Sequence, residues 1–101
     1  MVPDTTPATA RRFGRYAREM QALARRTAAL RAPASLRERK DRLAAFMGAV
    51  AKDLARLEAA AARNDESAAG TAIENVNGHS RGLDESKREL SRELNEAVGA
   101  S

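Results

Sequence analysis

Apolar residues recur along this chain at alternating spacings of three and four, in three tracts separated by a proline and by an Asn-Asp pair. This spacing puts apolar side chains on one helix face and is typical of helices that share a packed seam. It predicts helices over residues 7–31, 35–63 and 66–98, after a disordered tail over 1–6. Since the links are short, successive helices should be antiparallel neighbours. The predicted fold class is all-α, a single up-down-up, coiled-coil-like three-helix bundle over 7–98.

The helix ends carry local signals. Pro33 ends the first helix because the residue before a proline is pushed out of the α region. Ser35 and Glu38 form a predicted capping box at the start of the second helix. Asn64 tolerates the left-handed conformation that stops a helix, and Asp65 suits the N-cap of the third helix.

The third tract is the weakest of the three. Gly70, Gly78 and Gly82 each cost a helix up to about 1 kcal/mol relative to alanine. Gly78 also follows an asparagine, which makes a turn dipeptide. Because the seam register survives, we predict one long helix that is kinked or frayed near 77–82. In a four-helix alternative, a last helix would be capped by Ser86.

The predicted core is thin. Alanine supplies 23 of the 101 residues, so the helix axes can approach closely while burying little apolar area per residue. We therefore expect marginal stability, or stability gained from a partner. The residues predicted inside are Phe13, Tyr16, Leu23, Leu30, Leu43, Phe46, Met47, Val50, Leu54, Leu57, Ile73, Val76, Leu83, Leu90 and Leu94.

The composition argues against catalysis. The absence of cysteine excludes a disulfide framework, a thiolate zinc site and cysteine catalysis. The single histidine, His79, has no carboxylate three or four residues away and is predicted to be a surface residue. No Gly-rich phosphate loop and no base beside a hydroxyl can be found. We expect no enzyme, no cofactor and no metal site.

Nothing in the sequence predicts a transmembrane segment. The longest apolar run, residues 43–51, is nine residues long, whereas a spanning helix needs about 20. The N-terminus lacks the basic and apolar regions of a signal peptide. We expect either a cytoplasmic protein or an extracytoplasmic chain whose signal peptide has been removed.

Charge is unevenly distributed. Residues 1–31 carry seven basic and two acidic groups, residues 32–64 carry seven and four, and residues 65–101 carry four and eight. The acidic third helix is therefore interpreted as lying beside the basic first and second helices.

Arginines of the first helix project opposite its apolar seam. Such a stripe of guanidinium groups suits phosphates or an anionic surface, although it is also the pattern of an ordinary solvated helix surface. Nucleic-acid binders usually add stacking aromatics, and the three aromatic residues here lie on or beside the seams. The candidate anionic-partner stripe is Arg11, Arg15, Arg18, Arg25 and Arg26.

Several short segments resemble small helical extracytoplasmic proteins and lipoproteins of high-GC Gram-positive bacteria. The resemblance covers about a third of the chain and implies a cell-envelope location more than an activity. The matching segments are Pro33-Ala-Ser-Leu36, Asp41-Arg-Leu43, Asp53-Leu54 and Asn64-Asp65-Glu-Ser-Ala-Ala69.

A second resemblance involves Phe46-Met-Gly48, which is similar to the Trp-x-Gly turn of the secreted helical hairpins of type VII secretion. The family's C-terminal tyrosine signal is missing, since the only tyrosine is Tyr16.

A secreted hairpin of this type is one alternative function, and a nucleic-acid or anionic-surface binder is the other. The main prediction is a non-catalytic helical module with a protein-interaction or structural role.

Polar seam positions lead to a prediction about self-association. Lys40 and Lys87 must reach solvent or acids, because a buried ammonium without a partner is costly. Thr27 and Ser80 are polar as well. We expect a weak homodimer, in which the acidic third helix of one copy meets the basic first helix of the other. The sequence does not identify a protein partner.

Overall fold

A computed structural model describes residues 7–99 and shows an all-α bundle of three helices. Helix α1 spans Pro7–Ala29, α2 spans Ala34–Ala62 and α3 spans Glu66–Gly99. These bounds differ from the predicted bounds by two residues at most, which confirms an all-α bundle of three helices. The predicted tail over residues 1–6 lies outside the described residues.

The helices run up, down and up. Near one end of the α1–α2 pair, Thr27 Oγ1 lies 3.4 Å from Met47 Sδ, and near the other end Glu58 lies against Gly14. Across α2 and α3, Arg39 bonds Glu93 while Asp53 bonds His79. Successive helices are therefore antiparallel, as the short links require.

The α2–α3 link follows the local prediction. Asn64 has a φ of 55°, and the N–H of Asp65 donates to the carbonyl of Ala60 at 2.9 Å. This is the hydrogen bond of a helix that ends in a left-handed residue. The Asp65 carboxylate then accepts from the N–H of Ala68 at 3.0 Å, so it caps α3 as predicted.

The predicted capping box at Ser35 is wrong. Pro33 occupies the N-cap of α2 with φ −55° and ψ 152°, and no side chain caps this end. Since proline already holds the extended conformation that precedes a helix, the helix begins at Ala34, and Ser35 comes too late to cap it. Lys40 instead caps the preceding helix, donating to the carbonyls of Ala28 and Leu30 at 2.8 and 3.0 Å.

Helix α3 continues without interruption through residues 77–82, so the prediction of one long helix is confirmed, while the helix is not frayed there and the four-helix alternative is wrong. Ser86 is a buried residue in mid-helix rather than a cap. Packing against α2 explains the continuity, because His79 bonds Asp53 and Gly82 lies under the ring of Phe46. These contacts hold the glycine-containing segment on its neighbour.

Alanine dominates the core. One cluster contains Leu43, Met47, Val50 and Leu83 with Ala24, and a second surrounds Leu57 with three alanines. Of the fifteen residues predicted inside, some are buried, some half-buried and some exposed. The buried ones are Leu43, Met47, Val50, Leu57 and Leu83; the half-buried ones are Phe13, Phe46, Leu54, Ile73, Val76 and Leu90; the exposed ones are Tyr16, Leu23, Leu30 and Leu94.

The bundle is open on one side. Helix α2 packs against both other helices, but no described Cα atom of α1 lies within 8 Å of one in α3. The molecule measures 54 × 23 × 17 Å. Helices α1 and α3 therefore both pack against α2, but their backbones do not approach each other.

Candidate functional site

Helix α1 packs a row of small residues against α2. Ala10, Ala17 and Ala24 are spaced seven residues apart and are all buried. Phe13 and Met20 beside them are half-buried and reach the core clusters. Alanine lets two helix axes approach closely, and this close approach fixes which face of α1 is inside.

That rotation leaves two large side chains of α1 in solvent, together with the side chain of Leu30, which directly follows the helix. Tyr16 is 44% exposed, Leu23 40% and Leu30 61%, although all three are predicted core residues. They also recur every seven residues, so Tyr16 and Leu23 lie in one row along α1 and Leu30 follows at its C-terminal end. We call Tyr16, Leu23 and Leu30 the uncovered face. The prediction of their burial is wrong because α3 does not come close enough to cover this side of α1.

The uncovered face contains a cavity of about 360 Å³. Four of its lining residues belong to α1 at positions i, i+3, i+4 and i+7: Tyr16, Glu19, Met20 and Leu23. Leu54 of α2 completes the lining. The site is therefore a concave apolar depression with one carboxylate at its border.

The arginines of α1 lie in solvent. All five residues of the predicted stripe are exposed, and so is Arg12. None of these six forms an ion pair with a residue that the structure describes. The guanidinium of Arg15 lies 5.9 Å from the centre of the Tyr16 ring. A second open cavity, of about 390 Å³, is bordered by Arg11, Arg12, Arg15 and Arg18.

The acidic helix pairs with only one basic helix. Arg39 of α2 bonds Glu93 at 3.0 Å, and Arg42 bonds Glu89 at 3.5 Å. Since α1 does not approach α3, the prediction that α3 lies beside both basic helices is wrong for α1. The positive charge of α1 stays uncompensated within the described bundle.

Asp53 and His79 form a partly buried polar pair that sequence reasoning missed. The Asp53 side chain is 1% exposed and accepts from His79 Nδ1, while Arg56 lies 3.5 Å away. The His79 side chain is 43% exposed and lies at the surface as predicted, but it bonds a partner that is 26 residues away in the sequence, on α2. Among the described residues, no hydroxyl bonds this imidazole. We interpret the pair as a contact that aligns α2 with α3.

Two other kinds of site have no candidate within residues 7–99. No cluster of three or more His, Asp or Glu side chains is placed to hold a metal ion. None of the described helices combines the length and the apolarity needed to span a bilayer. The segment Phe46-Met-Gly48, which is similar to the Trp-x-Gly turn of the secreted hairpins, lies inside α2 and forms no turn.

No protein-family model matches the chain, and no curated protein or solved structure is similar to it.

Proposed function

We propose that this protein is a non-catalytic helical interaction module that binds a protein partner through the uncovered face of α1. One observation carries the proposal: Tyr16, Leu23 and Leu30 are 40–61% exposed in a single row. The chain has few large apolar residues, and single exposed ones would need no explanation. A row of three beside an apolar cavity is typical of a surface that a partner covers.

The resemblance to extracytoplasmic bacterial proteins supplies the proposed location. It rests on the segments around Pro33 and Asn64 in the sequence. A helical module in the cell envelope would act by holding a partner there rather than by chemistry.

Affinity capture from the native organism with matched variants tests this function. The variant Tyr16→Ser/Leu23→Ser/Leu30→Ser removes the uncovered face. Ala22→Ser/Ala29→Ser is the control, because it introduces serine at exposed positions of the same helix outside that face. Since all five positions are exposed, these changes leave the buried residues of both core clusters in place.

We expect some proteins to be captured by the wild-type chain and by the control variant but not by the triple variant. Circular dichroism must show that all three chains are folded. Retention of the same proteins by the triple variant would contradict the proposal.

A second candidate function is the binding of nucleic acid or another anionic surface. It is favoured by the cavity among Arg11, Arg12, Arg15 and Arg18, whose guanidinium groups have no described ion-pair partner. A heparin column run at two salt concentrations tests it. Steep loss of retention with salt would support phosphate contacts, and no retention at low salt would remove this candidate.

A further inference from the structure

We infer that the partner is an acidic amphipathic helix that lies along α1 and inserts an apolar side chain between Tyr16 and Leu23. This inference rests on the proposed function and specifies the chemistry of the partner.

The shape of the cavity favours a helix. Residues at i, i+3, i+4 and i+7 of one helix form the hole into which a side chain of a neighbouring helix packs. Tyr16, Glu19, Met20 and Leu23 have this spacing and line the cavity together with Leu54. A lipid surface or a phosphate backbone has no single protruding apolar side chain to fill such a hole.

The length of the row also suits a helix. From Tyr16 to the end of α1 at Ala29 the helix axis extends by about 20 Å, and Leu30 follows directly. An apolar row of this length matches about four turns of a partner helix. Helix α3 does not occupy this position, because its backbone stays away from α1.

The charges beside the row define the partner's polar residues. The row next to the uncovered face contains Arg12, Glu19 and Arg26, each four residues before a member of that face. All three are exposed, and none forms an ion pair with a described residue. Carboxylates on the partner would pair with Arg12 and Arg26 at the two ends of the contact. A partner with net negative charge is therefore favoured over a neutral or basic one.

A second copy of the chain fits this surface less well. Residues 1–31 carry seven basic and two acidic groups, so two α1 helices side by side would repel each other. The acidic α3 has already packed Leu83, Leu90 and Ile73 against α2. Among its described residues, the exposed large apolar side chains are Leu94 and Val98, which are four residues apart and cover about one helical turn, so this row is shorter than the one from Tyr16 to Leu30.

Two synthetic peptides test the inference. One has about three helical heptads with leucine at a 3-4 spacing and glutamate at the flanking positions; the other has lysine in place of every glutamate. Each is labelled, and its affinity for the full chain is measured by fluorescence anisotropy. The glutamate peptide should bind at least tenfold more tightly than the lysine peptide, and Leu23→Ser should weaken its binding about tenfold or more.

Charge reversal is the matched control. The variant Arg12→Glu/Arg26→Glu should prefer the lysine peptide while keeping its dependence on Leu23. Equal affinity of the wild-type chain for both peptides would overturn the inference that the partner is acidic. If Leu23→Ser still weakened the binding of these peptides, the proposed function would remain supported. Binding of neither peptide would likewise overturn the inference, and capture of proteins through the uncovered face would still support the function.

Two further measurements assign the face to another occupant if the inference fails. Binding to phosphatidylserine vesicles that Leu23→Ser abolishes would overturn it in favour of a membrane. If sedimentation equilibrium showed a dimer for the wild-type chain and a monomer for Leu23→Ser, the inference would be overturned, and the occupant of the uncovered face would be a second copy of the chain.

Discussion

Replacing Gly82 by alanine tests how closely α2 and α3 pack, because the ring of Phe46 lies directly against this glycine. A Cβ atom at position 82 would lie 2.4 Å from Phe46 Cε1 and 2.7 Å from Cζ. Non-bonded carbon atoms normally pack at about 3.5–4.0 Å. The ring must therefore move by about 1 Å from its place beside the core cluster.

Two opposing effects set the magnitude. Alanine in a helix interior is favoured over glycine by about 1 kcal/mol. Overpacking a tight contact costs about 1–3 kcal/mol. Gly82→Ala should therefore lower the free energy of unfolding by up to about 2 kcal/mol. Gly78→Ala is the control in the same helix, since a Cβ atom there meets nothing within 4 Å. It should raise the free energy of unfolding by up to about 1 kcal/mol.

Urea and thermal unfolding followed by far-UV circular dichroism measure both variants. About 1–3 kcal/mol should separate them, or at least about 4 °C in Tm for a domain of this size. Phe46→Leu removes the two nearest ring atoms, so the same Gly82→Ala change should be better tolerated in that background. If Gly82→Ala is as stable as Gly78→Ala in the wild-type background, the packing argument is wrong.

Two more predictions concern the link and the buried pair. Asn64→Ala should destabilise the protein by about 1–2 kcal/mol, because its φ of 55° is unfavourable for a residue with an ordinary Cβ. Asn64→Gly should be neutral, and equal stability of both variants in urea would contradict this. His79→Ala should cost about 2–3 kcal/mol, since it leaves the buried Asp53 carboxylate with only Arg56 nearby. In a double-mutant cycle with Asp53→Ala, the combined loss should be smaller than the sum of the single losses; additive losses would refute a structural pair.

Helix number and helix ends are determined by the sequence because their causes are local. Pro33 sets the start of α2 through the geometry of its own ring, and Asn64 with Asp65 ends one helix and caps the next through adjacent backbone groups. Even the failure at Ser35 is local, since Pro33 already fills the position that a cap would take. None of these features depends on where the other helices lie.

The face that α1 presents to α2 is decided by tertiary structure. Its sequence offers two overlapping rows with similar spacing, one of alanines that includes Ala17 and one of large residues that includes Tyr16 and Leu23. Periodicity favours the larger residues. The structure buries the alanine row, because small side chains let α1 approach α2 and because α3 stays too far away to cover the other row.

The pairing of Asp53 with His79 has the same origin. These residues are 26 positions apart, and neither has a local motif that indicates the other. Their contact exists only when α2 and α3 adopt one register, which also seats Phe46 against Gly82. Side-chain period alone fixes which residues share a helix face, whereas the distance and register between helices decide which faces meet and which stay in solvent.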